Sequence, residues 1–364
     1  MESDLTKRRP SLIPGCLPGL PSGWTPIIDS VPESSNDDED HYKKSFTPSG
    51  LTYLPSITSY ETKPYLKIKK FQLNNHPIMS MAHTHGICVL NTEAEEIIAC
   101  DHYNNRLLMF DSNTDGRLLD IFRGDMATPE CVTPRPHYQQ QIYITKAHSI
   151  SLYDLEKKHV IQKLGSEESG HANNRFKSPC GIVVDPANGE IYVCDTWNHR
   201  ICVFSPDFRY VNRRWYLTRW QQTHKVKPNF IAINRSNECV VTCDDAPDYR
   251  GAVYVFDKMG YIKKIYDHES RNKPPNAEAK LNVPHGILVD DEGNWLTLCY
   301  SDPESCWIER RYKPHQHEDH EIITYWRNKE LKGPSALAIK RDQTLIIGDR
   351  DENAICFFKQ SKPK

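Results

Sequence analysis

Apolar residues come in short runs of three to five, each bounded by Gly, Pro, Asn or Asp, and the runs are apolar throughout rather than strictly alternating with polar residues. That pattern predicts short strands covered on both faces. Residues 178–204 carry it in full. Pro179-Cys180-Gly181 opens the strand Ile182-Val183-Val184, Gly189 marks a turn, Ile191-Tyr192-Val193-Cys194-Asp195 is a second strand, and Asn198-His199-Arg200 turns into a third, Ile201-Cys202-Val203-Phe204.

Variants of this unit recur along the chain. One copy runs from His85-Gly86-Ile87 through Ile97-Ile98-Ala99-Cys100-Asp101 to Arg106-Leu107-Leu108-Met109-Phe110. A weaker one lies between Pro129 and Gly165. Others start at Pro228, Pro284 and Pro334. Gly86, Gly181 and Gly286 are 95 and 105 residues apart with two units in each interval, so a unit is close to the ~40–50 residues of a propeller blade. The expectation is an all-β, six-bladed β-propeller over residues 64–364. The last unit stops after its third strand, and Pro64 to Phe71 is a strand-like stretch ahead of the first. Residues 64–71 are therefore expected to close the last blade and remove an exposed edge.

Asp195-Thr196-Trp197-Asn198-His199-Arg200-Ile201 with Val203-Phe204, and less closely Asp101 to Phe110, resemble the blade signature of the NHL-repeat family of six-bladed propellers. The resemblance implies a binding scaffold, similar to the propellers of tripartite-motif proteins, which select targets for ubiquitin-dependent degradation or translational control. It also implies a protein or single-stranded RNA ligand on one propeller face.

Composition narrows this. A net charge of −2 predicts no global attraction to nucleic acid or acidic membranes, and no run of eighteen apolar residues or signal-peptide core is present. A cytoplasmic chain is expected, with no membrane partner and no small-molecule substrate. The twelve cysteines include Cys100, Cys194 and Cys243 at equivalent strand positions, as reduced core fillers would be, and no Cys-x-x-Cys pair provides a zinc module. Residues 1–63 are Pro-, Ser- and Asp-rich with an acidic run at Asp37-Asp38-Glu39-Asp40, a composition expected of a disordered tail.

Three residue sets are expected on one face, because strands alternate direction and the inner strands begin beside the second-to-third-strand turns. The residue before each inner-strand glycine, or its equivalent, gives His85, Glu130, Cys180, Asn229, His285 and Ser335. Of these, His85, Cys180 and His285 come from alternate units, and two imidazoles with a thiolate make a zinc set. A resemblance to the peptidyl-hydroxyglycine amidating lyases, which hold zinc with three histidines about two blades apart, implies a metal-dependent lyase or hydrolase as the alternative function. Cys180 stands where those enzymes have a histidine, so the leading expectation is a non-catalytic chain without cofactor. Arg213, Arg214, Trp215, Tyr216, Arg219, Trp220, Lys225 and Lys227 interleave aromatics with cations, as single-stranded RNA binding requires, although Trp215 and Tyr216 can instead belong to an outer strand. The turns add Tyr103, Arg106, Trp197 and Arg200, residue types that dominate protein-binding hot spots.

Overall fold

The computed structural model describes residues 59–61, 65–72, 81, 83–113, 116–172, 174–209, 211–217, 226–245, 250–266, 283–290, 293–300, 306–312, 322–327 and 331–360. Along the chain, β1 (Ser59–Glu61) and β2 (Tyr65–Gln72) precede the first four-stranded unit, β3 (Thr84–Val89), β4 (Ile97–Asp101), β5 (Arg106–Phe110) and β6 (Leu118–Phe122). The second unit is β7 (Pro129–Pro134), β8 (Gln141–Lys146), β9 (Ser149–Asp154) and β10 (His159–Gly165). The third is β11 (Pro179–Val184), β12 (Ile191–Asp195), β13 (Arg200–Phe204) and β14 (Val211–Tyr216), with a single 3-10 turn at Thr196–Asn198. β15 (Val226–Ile233), β16 (Cys239–Asp245), β17 (Arg250–Phe256) and β18 (Ile262–Tyr266) follow. Next come β19 (Val283–Val289), β20 (Trp295–Tyr300), β21 (Cys306–Tyr312) and β22 (Ile322–Arg327), and last β23 (Pro334–Ile339), β24 (Leu345–Asp349) and β25 (Ala354–Gln360).

These strands make six sheets, in which each unit is an antiparallel meander. The inner strands touch in the cyclic order β3, β7, β11, β15, β19, β23 and back to β3, giving the radial arrangement of a β-propeller. The expected closure is present: β2 pairs antiparallel with β25 and completes the last sheet. One strand departs from expectation. Ser59–Glu61, placed by composition in the tail, pairs parallel with β22 as a fifth strand. The rest of that tail, residues 1–58 and 62–63, lies outside the described residues.

Six apolar clusters each fill the wedge between two consecutive sheets, which is why the strands are apolar on both faces. In β4, Ile98 and Cys100 pack toward the second sheet, while Ile97 and Ala99 pack toward the last. Period-two alternation therefore persists, but both sides are apolar. Cys100, Cys194 and Cys243 are fully buried free thiols in these wedges, and burial raises the Cys100 and Cys194 thiols well above their ordinary range.

Every inner strand carries a register shift near its start: between Thr84 and Ile87, Pro129 and Cys131, Pro179 and Ile182, Pro228 and Phe230, Pro284 and Ile287, and Pro334 and Ala336. His85, Glu130, Cys180, Asn229, His285 and Ser335 all sit within these bulges, where an extra residue re-aims a side chain. The glycine that follows in alternate units has a steric cause. A Cβ on Gly86 would lie 2.6 Å from Cys131 Cα, and one on Gly181 would lie 2.6 Å from Phe230 Cα, so the next inner strand approaches too closely for any side chain.

Candidate functional site

In units one, three and six, backbone hydrogen bonds tie the second-to-third-strand turn to the start of its own inner strand. His102 N–H donates to the His83 carbonyl at 3.3 Å, Trp197 N–H to Lys177 at 3.1 Å, and Arg350 N–H to Gly333 at 2.9 Å. The turns and the bulges therefore share one face. The signature carboxylates hold this junction. Asp195 accepts from Lys177 N–H at 2.8 Å, Asn198 Nδ2 at 2.8 Å and Arg200 Nε at 2.7 Å, and Asp349 accepts from the Lys332 and Gly333 amides at 2.9 Å.

Several expected partner-binding residues have structural duties instead. Arg200 is fully buried, its guanidinium donating to the carbonyls of His171, Ala172 and Arg175 as well as to Asp195. Arg106 is buried in the same way against Asp101 at 2.6 Å. Arg213, Arg214, Trp215 and Tyr216 lie on the outer strand β14 and do not form a loop. Trp215 packs inward between Tyr192 and Phe256, because the alternation of β14 turns it toward the wedge. Arg213 pairs with Glu190 at 2.7 Å, and the Tyr216 hydroxyl lies 3.4 Å from Arg200 Nη1. Arg219, Trp220 and Lys225 lie outside the described residues.

Two aromatics do stand out on the face. Tyr103 is 65% exposed and Trp197 47% exposed, each in a second-to-third-strand turn. The Lys227 ammonium sits 3.7 Å above the Trp197 ring, a cation–π contact that gives this aromatic a positive rim.

Beside Tyr103 lies a group of imidazoles. The His85 ring stacks on that of His102 at 4.4 Å and lies 4.6 Å from His83, which in turn stacks on Tyr103 at 4.6 Å. Glu130 crosses from the second unit, placing one carboxylate oxygen 2.6 Å from His85 Nδ1 and the other 3.5 Å from His102 Nδ1. Burial, helped by His85 and Arg350, pushes His83 down to about 4, and burial also lowers His102 against the pull of Glu130.

Among the described residues, His85, His102 and Glu130 form the one group whose ligand atoms converge as a metal site requires, and it differs from the expected His85, Cys180 and His285. The bulges carry all three of those residues at the same end of the inner strands. Among the described residues their ligand atoms do not converge as those of His85, His102 and Glu130 do. Burial raises the Cys180 thiol, the Glu130 charge adding to it, and burial pushes His285 down to about 3, with Arg350 and His85 contributing. His102 was not singled out by sequence. It follows Asp101 in the turn, as Thr196 follows Asp195, and that equivalence is the signal that places it on the bulge face.

Radial sheets around a ring of inner strands define a β-propeller. Residues 176–204 match the NHL repeat, and this match together with the propeller arrangement of the sheets supports an NHL-repeat β-propeller family. It is 23% identical over 132 residues to Protein brain tumor of Drosophila melanogaster, an alignment covering 36% of this chain and only 11% of that protein. Similar solved structures include hydrazine synthase of Kuenenia stuttgartiensis, with a TM-score of 0.53 and 13% identity over 77% of this chain and 78% of that one. Virginiamycin B lyase of Staphylococcus aureus gives a TM-score of 0.51 and 16% identity over 82% and 90% of the two chains. A streptogramin B lyase gives 0.52 and 14% over 82% and 98%. At these identities the likeness is one of fold. Among the described residues no helix is long and apolar enough to cross a membrane.

Proposed function

We propose that this six-bladed propeller is a non-catalytic binding scaffold that recognises a protein partner on the face bearing Tyr103 and Trp197. The observation that carries the proposal is the exposure of these two aromatics in turns on the bulge face, with Lys227 seated on Trp197. Exposed Trp and Tyr supply large rigid contact area at small entropic cost, as interface hot spots do. Protein is favoured over single-stranded RNA because Arg106 and Arg200 are buried against carboxylates and Arg213 is paired with Glu190, which leaves those cations unavailable to phosphates. A role in selecting targets for ubiquitin-dependent degradation or translational control, in the cytoplasm, fits a scaffold of this kind.

The test is capture from native lysate by the purified full chain, with RNase-treated and untreated arms, compared with a Tyr103→Ala/Trp197→Ala variant. A protein retained in both arms by the parent chain and lost from the variant supports the reading. Retention that RNase abolishes, or that the variant preserves, contradicts it.

A further inference from the structure

The imidazole group has features that partner binding does not explain. Glu130 is the only carboxylate whose oxygens approach both His85 and His102, at 2.6 and 3.5 Å, among the described ion pairs. A third imidazole, His83, stands against His85, and its Nδ1 is buried without a hydrogen-bond partner. Three clustered rings served by one acid form an arrangement that protons satisfy poorly, since adjacent imidazolium ions repel. Imidazole nitrogens converging beside a carboxylate are, by contrast, a donor set that suits a single dication.

We propose that His85, His102 and Glu130 form a binding site for a divalent transition-metal ion of the zinc type. Their ligand atoms all lie within 4.8 Å of one another. Tetrahedral zinc with bonds of about 2.0–2.1 Å places its donors roughly 3.3 Å apart, so seating the ion requires the Glu130 oxygen to draw back from His85 by less than an ångström. Two nitrogen donors and one oxygen select a borderline ion over calcium or magnesium, which take oxygen ligands. The three side chains keep 24%, 13% and 16% exposure, so an ion can enter from solvent and a water can complete the coordination. His83 stands at the edge of the set with a free nitrogen. His102 Nδ1 also lies 3.3 Å from the Pro129 carbonyl, a contact that holds the ring next to Glu130.

The site is independent of the partner proposed above and is tested without one. Purified full-length chain is dialysed against Zn2+, and against Ca2+ in parallel, and bound metal is counted by elemental analysis. Co2+ is then substituted and its visible spectrum recorded. One zinc per chain, no retained calcium, a four- or five-coordinate cobalt spectrum without a thiolate-to-cobalt charge-transfer band, and affinity weakened roughly tenfold or more in His102→Ala and Glu130→Gln but unchanged in Cys180→Ser support the assignment. Less than stoichiometric zinc, a thiolate band, or loss of binding in Cys180→Ser overturns it. If a variant fails to fold, the cobalt spectrum of the unaltered chain still decides between nitrogen–oxygen and thiolate ligation.

Discussion

Arg200 provides the sharpest separation between a residue that builds the face and one that meets a partner. Replacing it with Met keeps most of the aliphatic volume and removes the guanidinium. Asp195, with no exposed surface, then loses its 2.7 Å ion pair, and the carbonyls of His171, Ala172 and Arg175 lose their donors. Breaking a buried pair by removing one partner leaves an uncompensated charge and costs about 3–5 kcal/mol. That is a large share of the roughly 5–15 kcal/mol that holds a domain folded. With a urea dependence of about 3 kcal/mol per M, the midpoint should fall by about 1 M or more. The assay is urea unfolding followed by tryptophan fluorescence and far-ultraviolet circular dichroism. The double variant Asp195→Asn/Arg200→Met should recover part of the loss, because no buried charge remains. An Arg200→Met chain within about 1 kcal/mol of the parent that nevertheless fails to bind partner would refute the reasoning and return Arg200 to the recognition surface.

Two other perturbations test the same framework. Gly181→Ala places a Cβ 2.6 Å from Phe230 Cα and from the Asn229 carbonyl, both backbone atoms, and should destabilise by about 1–3 kcal/mol in the same unfolding assay; unaltered stability would mean that the inner strands do not approach as described. His285, held down to about 3 in the fold against an ordinary 6.5, is neutral when folded and takes up a proton on unfolding once the pH drops below 6.5. Its contribution is thus complete above that pH and is lost as pH falls toward 3, amounting to at most about 2 kcal/mol between pH 7 and 5 and less with partial exposure. His285→Gln should flatten that slope, and an identical slope in the variant would exclude His285 as its source.

The repeat made the ring, its closing strand and the bulge positions legible, including Glu130 in a unit whose sequence match is weak, because glycine spacing and Pro-initiated strands are local consequences of inner strands packed backbone to backbone. Cys100, Cys194 and Cys243 were legible as core for the same reason. The outer strand was harder. Arg213-Arg214-Trp215-Tyr216 reads as a basic aromatic loop or as a strand, and only pairing with β13 shows that Trp215 faces the wedge while Arg213 meets Glu190. The grouping of His85, His102 and Glu130 was not legible, because rotational symmetry points to alternate units, whereas these contacts run between neighbouring units and between a bulge and its own turn. β1 escaped notice since three residues in parallel pairing leave no periodic trace.

The central claim is that the face bearing the turns at Tyr103 and Trp197 is the one that meets a partner. A photo-crosslinking amino acid at position 197, compared with one at position 138 in the exposed first-to-second-strand turn on the opposite face, tests this most directly. The account predicts a covalent adduct to one RNase-resistant protein species from position 197 and none from position 138. Adducts from position 138 alone would contradict it.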